Sequence, residues 1–329
     1  MHPRFILYTI LILLLAMTAL LSIGVGQAGL GLFDLSALFS GRGSDFATII
    51  FFDLRLPRLL LALAIGAALG ISGAAIQALL RNPLAEPSLL GASNVAALGA
   101  VAMIYFGIAS QFSLFVPIIA SLGAFLSVWL LLILSGRMAS NLRIILAGFA
   151  ISAFAGAGIS LLLNLAPNPF AALEIAFWLL GSVEDSSMQH VVLALPLIMA
   201  GGVILLFCGR GLDALALGDE VALSMGVNIQ ALYLQIALGI ALAVGAAVSV
   251  SGVVGFVGLI VPHMVRHFVD HEPSKTLLPS AMLGAILVGL ADSIVRIIPS
   301  AGGEIKLGVL TALLGVPVFL FLISHMHRS

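Results

Sequence analysis

The stretch "AIGAALGISGAA" at residues 64–75 has a second copy, "AVGAAVSVSGVV", at residues 243–254, and the two agree at six of twelve positions. Each copy contains a Ser-Gly pair, and a proline follows ten residues after that glycine, at Pro83 and at Pro262. The tripeptide Glu-Pro-Ser also recurs beyond each copy. Segments rich in alanine and glycine can match by chance, but the shared proline and tripeptide favour an internal duplication.

The composition is that of a membrane protein. Of the 329 residues, 62% are hydrophobic and 8% are charged, and the mean hydropathy is +1.26. Apolar stretches of about twenty residues recur without the alternation of barrel strands, so we expect spanning helices in a lipid bilayer. The net charge of −1 gives no indication of a nucleic-acid partner.

The pattern predicts an all-α, polytopic membrane protein with about ten transmembrane helices in a single domain over residues 1–329. The candidate spans lie near residues 5–24, 56–80, 89–108, 112–135, 143–166, 190–208, 230–250, 252–268, 276–298 and 306–326. The repeat begins at the second span and again at the seventh, an odd number of crossings apart. Its halves, approximately 56–166 and 230–326, would therefore run in opposite directions, which is typical of transporters.

The positively charged residues predict the orientation. With the amino terminus inside, eight of the thirteen Lys and Arg fall at inner ends and loops, namely Arg4, Arg81, Arg137, Arg143, Arg210, Arg266, Lys275 and Arg328. This bias predicts that both termini are cytoplasmic. The first apolar segment is too long for a signal peptide and lacks a clear cleavage site, so we interpret it as a retained span.

Three long motifs carry a family resemblance: "GISGAAIQALLRNPLAEPSLLGASNVAALGA", "SGVVGFVGLIVPHMVRH" and "GVLTALLGVPVFLFLI". Together they resemble the permease subunits of type II ATP-binding-cassette importers for iron chelates, haem and cobalamin. The resemblance implies a homodimer in a bacterial cytoplasmic (inner) membrane, with two cytoplasmic ATPase subunits and a periplasmic or lipid-anchored substrate-binding protein. The sequence has no G-x-x-x-x-G-K-[ST] motif, so ATP hydrolysis is expected on a separate subunit and the chain is not expected to be an enzyme.

Three arginines fall on the outer side against the charge trend. Arg55 and Arg58 are three residues apart and share a helix face, and Arg296 lies near the outer end of the ninth span. The resemblance implies that arginines at these positions bind acidic residues of the substrate-binding protein, and guanidinium forks suit carboxylates. The alternatives are that they reach lipid headgroups, or that Arg296 pairs with Asp292 one turn earlier.

The most polar inner segment is "GRGLDALALGDEVALSMGVNIQ", between the sixth and seventh spans. Its mixture of acids with small and apolar residues predicts a short pair of amphipathic helices along the membrane face. The resemblance implies that this segment seats in a cleft of the ATPase. The residues expected to couple the two subunits are Leu217, Gly218, Asp219, Glu220, Ala222 and Gly226. A solvated connector is the alternative.

The segment "RNPLAEPSLLG" joins the second and third spans, and Pro83 and Pro87 interrupt any helix there. Irregular backbone at membrane depth is tolerated only where protein or an aqueous cavity covers it. The resemblance implies that this loop and the inner start of the fifth span form the cytoplasmic gate, and that the fifth and tenth spans line the pathway. The expected gate and pathway residues are Asn82, Leu84, Asn141, Leu142 and Asn164. A purely structural turn is the alternative for the loop.

No metal site, resident cofactor or disulfide is expected. His263, His267 and His271 recur at every fourth residue and could present ligands along one helix face, yet Arg266 intervenes and no H-E-x-x-H motif occurs. Cys208 is the single cysteine and is interpreted as a packing residue.

The cargo is expected to be an iron–siderophore complex or haem, and cobalamin is the near alternative because the lining residues do not discriminate among bulky chelates. An ion-coupled secondary transporter is a second class. Such a transporter would need ionisable residues at the membrane midplane, and apart from Asp292 the spans are nearly free of acids. A membrane enzyme is disfavoured because no nucleophile, base and metal set is clustered.

Overall fold

The computed structural model describes residues 3–26, 45–109, 114–136, 141–298 and 303–326. These residues form helices joined by turns and loops, and no β-strand occurs among them. In chain order the α-helices are α1 Pro3–Gly24, α2 Asp45–Ile49, α3 Leu56–Leu79, α4 Ala92–Tyr105, α5 Phe115–Ser135, α6 Asn141–Asn164, α7 Pro169–Leu179, α8 Met188–Phe207, α9 Gly209–Ala216, α10 Asp219–Ser224, α11 Ile229–Ser251, α12 Val257–Arg266, α13 Pro273–Val295 and α14 Leu307–Met326. A helix lies at each of the ten positions where a span is expected, which confirms the all-α membrane architecture.

The helices differ in length. Seven helical segments of the described chain are long and apolar enough to cross a membrane. In contrast, α4 has 14 residues and α12 has 10. Both are shorter than the roughly twenty residues that an α-helix needs to cross the hydrocarbon core. The third and eighth spans are therefore each completed by non-helical backbone.

The segments that precede these two short helices contact each other, and the first of them contains a 3-10 turn at Pro87–Leu90. Residues 80–91 precede α4 and end at Gly91, which has φ +81°, while residues 252–256 precede α12 and end at Phe256, which has φ +67°. Glu86 Oε1 accepts a hydrogen bond from the backbone N–H of Phe256 at 3.1 Å. A Cβ at Gly258 would collide with the ring of Pro87. The part of the first segment around Glu86 and Pro87 is thus packed against the second, whereas Arg81, Asn82 and Leu84 are exposed.

The central helix α3 packs most extensively against α13. Glycines make this possible, since a Cβ at Gly66 or Gly70 would overlap the backbone of Gly284 or Ser280. Gly73 similarly faces the carbonyl of Gly258 on α12. Lipid gives no hydrophobic drive for helix association, so close backbone approach through small residues stabilises these pairs.

Helical structure begins earlier than expected in front of α3. The expected span starts at residue 56, yet the chain is helical from Asp45, with a π-helical turn at Ile50–Arg55. This wider turn lies directly before Pro57, whose ring would clash with the carbonyl four residues back in a regular α-helix. The irregular turn fixes the directions in which Arg55 and Arg58 point.

An additional helix, α7, lies between the fifth and sixth expected spans, where no helix was expected. Asn168 caps its amino end, because the Asn168 side chain accepts a hydrogen bond from the N–H of Ala171 at 2.9 Å. Pro169 occupies the first turn, where its missing N–H leaves no donor unpaired. The expected short helix pair between the sixth and seventh spans is present as α9 and α10.

Candidate functional site

A buried ionic cluster lies where the start of α3 meets the end of α13. Arg58 Nε lies 2.9 Å from Asp292 Oδ1, and Arg58 Nη2 lies 2.5 Å from Glu304 Oε2. Arg296 Nη2 lies 2.9 Å from the second oxygen of Asp292. Asp292 is 0% exposed, so its charge is balanced by two guanidinium groups inside the protein.

The same cluster holds the end of α1. Arg296 Nη1 donates to the carbonyls of Ser22 and Val25 at 2.9 and 3.0 Å, and its Nη2 donates to Ser22 Oγ at 2.6 Å. Arg55 Nη1 donates to the carbonyl of Ile23 at 2.5 Å. The last carbonyls of a helix have no partner within it, and cationic side chains are favourable there. The arginines therefore join α1 to α3 and α13.

The three outer arginines are buried, with 5%, 8% and 7% of Arg55, Arg58 and Arg296 exposed. The pairing of Arg296 with Asp292 is confirmed, whereas docking of a binding protein stays a prediction. The sequence analysis missed Glu304 and Ser22. A spacing of four residues pointed to Asp292 and Arg296, but no local signal links Arg58 with residues more than two hundred positions away.

The loop at residues 80–91 is internally bonded at its first turn. Asn82 donates its N–H to the carbonyl of Gln77 at 3.1 Å, and its Oδ1 accepts from the N–H of Leu84 at 2.9 Å. Both side chains are exposed. Arg81 has φ +48°, an uncommon conformation outside glycine, and its guanidinium forms an ion pair with Asp219. The expected gate loop thus contacts the expected coupling segment.

The helices α9 and α10, with Leu217 and Gly218 between them, are called the coupling unit below. Asp213 Oδ1 accepts a hydrogen bond from the N–H of Ser274 at 2.8 Å, so α9 caps the first turn of α13. Ala222 is fully buried, while Leu217 and Glu220 are exposed. Gly218 and Gly226 bound α10 with φ +118° and +82°, which a side chain would strain.

The helix α6 presents much of its surface outward from the subunit. Leu142 is 64% exposed, and Asn164 at the opposite end is exposed as well. The side chain of Asn141 lies outside the described residues. At the centre of α6, Ser152 Oγ donates to the carbonyl of Ser88 at 3.2 Å, so this helix contacts the loop at 80–91. The expected gate residues are therefore distributed between a loop and the outward face of α6.

Two sizeable cavities open on the subunit. One of about 1010 Å³ is mainly apolar, lies between α5, α6, α10 and α11, and includes Leu131, Ile144, Leu223 and Tyr233 in its lining. The other, of about 710 Å³, lies beside α7 and includes Glu174, Phe177, Trp178, Asp185 and His190. The gate residues Asn82, Leu84 and Leu142 line neither cavity.

The histidine row packs ring to ring. The centroids of His263 and His267 are 5.4 Å apart, and those of His267 and His271 are 5.9 Å apart. Among the described residues, no group of three or more His, Cys, Asp and Glu side chains is arranged to hold a metal ion. Cys208 is buried, and its Sγ lies 3.3 Å from the carbonyl of Ile204.

The described helices, seven segments of which are long and apolar enough to cross a membrane, are those of a polytopic membrane protein. A model of the FecCD transport family matches residues 13–325, and the chain belongs to this family.

Known relatives are similar over most of the chain. The hemin transport system permease HmuU of Yersinia pestis is 37% identical over 100% of this chain and 98% of the relative. The vitamin B12 import permease BtuC of Vibrio cholerae is 35% identical over 84% of this chain and 83% of the relative. A solved inward-facing structure assigned to the metal-chelate type of ABC transporter has a TM-score of 0.85 and 32% identity, covering 98% of this chain and 99% of that one.

Proposed function

We propose that this chain forms, as a homodimer, the translocation pathway of an ATP-driven importer for an iron–siderophore complex or haem. Two ATPase subunits would hydrolyse ATP on the cytoplasmic side, and a periplasmic or lipid-anchored binding protein would deliver cargo on the other. Both termini of the permease would be cytoplasmic, in a bacterial inner membrane. Cobalamin is the alternative cargo, since the relatives described above are named for haemin and for vitamin B12.

The observation that carries the proposal is an exposed apolar surface on the coupling unit and the residue that follows it. Leu217, Val221, Leu223 and Met225 are 67%, 43%, 60% and 63% exposed. They lie beside the exposed charges of Asp219 and Glu220 at the end of the molecule expected to face the cytoplasm, so lipid tails do not cover them. Apolar patches rimmed by polar residues mark protein contacts on soluble surfaces. An ATPase subunit is the partner that the family supplies.

A second copy is proposed to cover α6. This helix exposes Leu146, Phe149, Phe154 and Leu161, and its sequence carries no charged residue beyond Arg143. The exposed faces of α6 from the two copies, together with exposed residues of α14, would enclose a wide and neutral pathway between the subunits. Neutral walls would hold a bulky chelate weakly, so affinity would come from the binding protein.

The outer arginines are proposed to serve docking of the binding protein. The carboxylates that pair with Arg58 and Arg296 lie within the same subunit, so a binding protein would share guanidinium groups that already bind internal acids. Substituting Arg55, Arg58 or Arg296 with glutamate should weaken capture of the binding protein, most visibly at low salt. Unchanged capture by all three correctly folded variants would refute docking.

The inverted repeat is also proposed. It is supported by the similar segments that precede α4 and α12. Each of these segments ends in a residue of positive φ. The halves would be about 56–166 and 230–326. This arrangement would bring the two interruptions together between the halves, as in inverted-repeat transporters.

The function is tested by reconstituting the permease with its cognate ATPase and binding protein. ATP-dependent uptake of the ligand that the binding protein retains on purification is the expected result. Replacing Leu217 and Leu223 together by serine should reduce co-purification of the ATPase by at least about tenfold, since each buried leucine contributes about 1.5–3 kcal/mol. Leu238→Ser on α11 is the control and should retain the ATPase. Uptake driven by a proton or sodium gradient without the ATPase would overturn the proposal.

A further inference from the structure

The loop at residues 80–91 and the coupling unit are joined by one ion pair between two parts of the chain that are distant in sequence. Arg81 directly follows the C-cap of α3, and Asp219 is the first residue of α10. The Arg81 guanidinium binds the Asp219 carboxylate across a separation of 138 residues. The pair is partly exposed, with 37% and 63% of the two side chains accessible.

The other end of this loop is bonded to two more helices. Glu86 accepts the N–H of Phe256 at the start of α12, and the carbonyl of Ser88 accepts the hydroxyl of Ser152 on α6. Between these points the loop is tied to itself, because Ala85 donates its N–H to the carbonyl of Asn82 at 3.1 Å. A displacement of Arg81 would therefore reach α12 and α6 through a chain of hydrogen bonds.

Close packing does not join the loop to the coupling unit at this place. A cavity of about 260 Å³ separates them, and its lining includes Asn82 and Pro83 of the loop and Ala216 of α9. A partly exposed ion pair contributes only about 0–1 kcal/mol to stability. The pair is consequently weak as a stabilising contact, yet it bridges a gap that packing leaves open.

We propose that the Arg81–Asp219 ion pair passes movement of the coupling unit to the gate loop. The inference rests on the proposed function, because it requires an ATPase that moves the coupling unit. When α10 shifts, Asp219 carries Arg81 with it, and the loop repositions Asn82 and Leu84. Asp213 anchors α9 to the first turn of α13, against which α9 also packs, while the Arg81–Asp219 pair joins α10 to the loop.

The test uses the complex with its ATPase in lipid nanodiscs and a thiol reporter at the loop. Leu84→Cys is introduced together with Cys208→Ala, which removes the single native cysteine. The labelling rate by a membrane-impermeant maleimide is compared with and without MgATP and vanadate, at equal amounts of trapped nucleotide. The variants are Arg81→Glu, Asp219→Arg, the double charge swap and Arg81→Lys. The matched control is a charge swap of the local pair Glu272–Lys275.

With the native pair, nucleotide trapping should change the labelling rate by at least about tenfold. Either single reversal should bring that ratio within about twofold of one, and the charge swap and Arg81→Lys should restore most of it. The control swap should keep the full response. A response that persists in both single reversals, or a swap that restores none of it, overturns the inference. A native-pair complex that traps nucleotide but shows no change in labelling also overturns the inference, whereas a permease that binds no ATPase overturns the proposed function.

Discussion

Neutralising Asp292 should cost the protein a large part of its stability. Asp292→Asn keeps the shape of the side chain but leaves Glu304 as the remaining acid, among the described residues, of the ion pairs made by Arg58 and Arg296. Removing one partner of a buried ion pair costs about 3–5 kcal/mol. Arg58 would still pair with Glu304, and Arg296 would still donate to Ser22, so we expect a loss of stability at the lower end of this range, about 3 kcal/mol. At about 2–4 °C per kcal/mol, this lowers Tm by about 6–12 °C.

The buried Cys208 provides the assay, because a thiol-reactive dye becomes fluorescent when unfolding exposes this single cysteine. Thermal scans in detergent would compare the native protein with Asp292→Asn and with Asp185→Asn. Asp185 is an exposed outer acid, so its substitution should change stability by less than about 0.5 kcal/mol. Equal Tm values for the two variants would refute the view that the cluster depends on a buried carboxylate. A double variant, Asp292→Asn with Arg296→Gln, should be less destabilised than the sum of its parts.

Three further substitutions test local features. Gly73→Ala should destabilise the protein by about 3 kcal/mol because its Cβ meets the carbonyl of Gly258, whereas Gly202→Ala on α8 meets nothing within 4 Å and should be neutral or slightly stabilising in the same dye assay. Glu86→Ala should speed hydrogen exchange of the Phe256 amide, because loss of the hydrogen bond lowers the free energy of local opening by about 1–3 kcal/mol. Unchanged exchange of this amide would contradict the contact. Asn168→Ala should fray α7 by about 1 kcal/mol, seen as faster exchange over residues 169–172 but not in α8.

Most of the fold was predicted from the sequence, because the length of an apolar stretch can be read from neighbouring residues alone. All ten expected spans have helices, and the polar segment after Cys208 forms the expected α9 and α10. The helix α7 was missed although "PNPF" at residues 167–170 contains a capping asparagine followed by proline. Helicity before residue 56 was missed as well, since Pro57 reads as a helix start and a π-helical turn has no sequence signature of its own.

The candidate site was less accessible to sequence reasoning because its contacts are long-range. The resemblance named Arg58, Arg296 and Asp219 separately, yet it did not indicate that Asp292 and Glu304 enclose Arg58 or that Arg81 reaches Asp219. Periodicity predicts which residues share one helix face. It does not predict which faces meet, since that depends on how α3, α10 and α13 pack together.

The brevity of α4 and α12 constrains how the chain is made. The 14 and 10 residues of these helices are too few to partition alone into lipid from the insertion machinery. Each must enter as a hairpin with its longer neighbour, α3 or α11. The hydrogen bond between Glu86 and Phe256 joins segments 170 positions apart. When only the first hairpin has been synthesised, the Phe256 N–H that donates to Glu86 is therefore not yet present. This contact of the first half thus forms only after the second half has been translated.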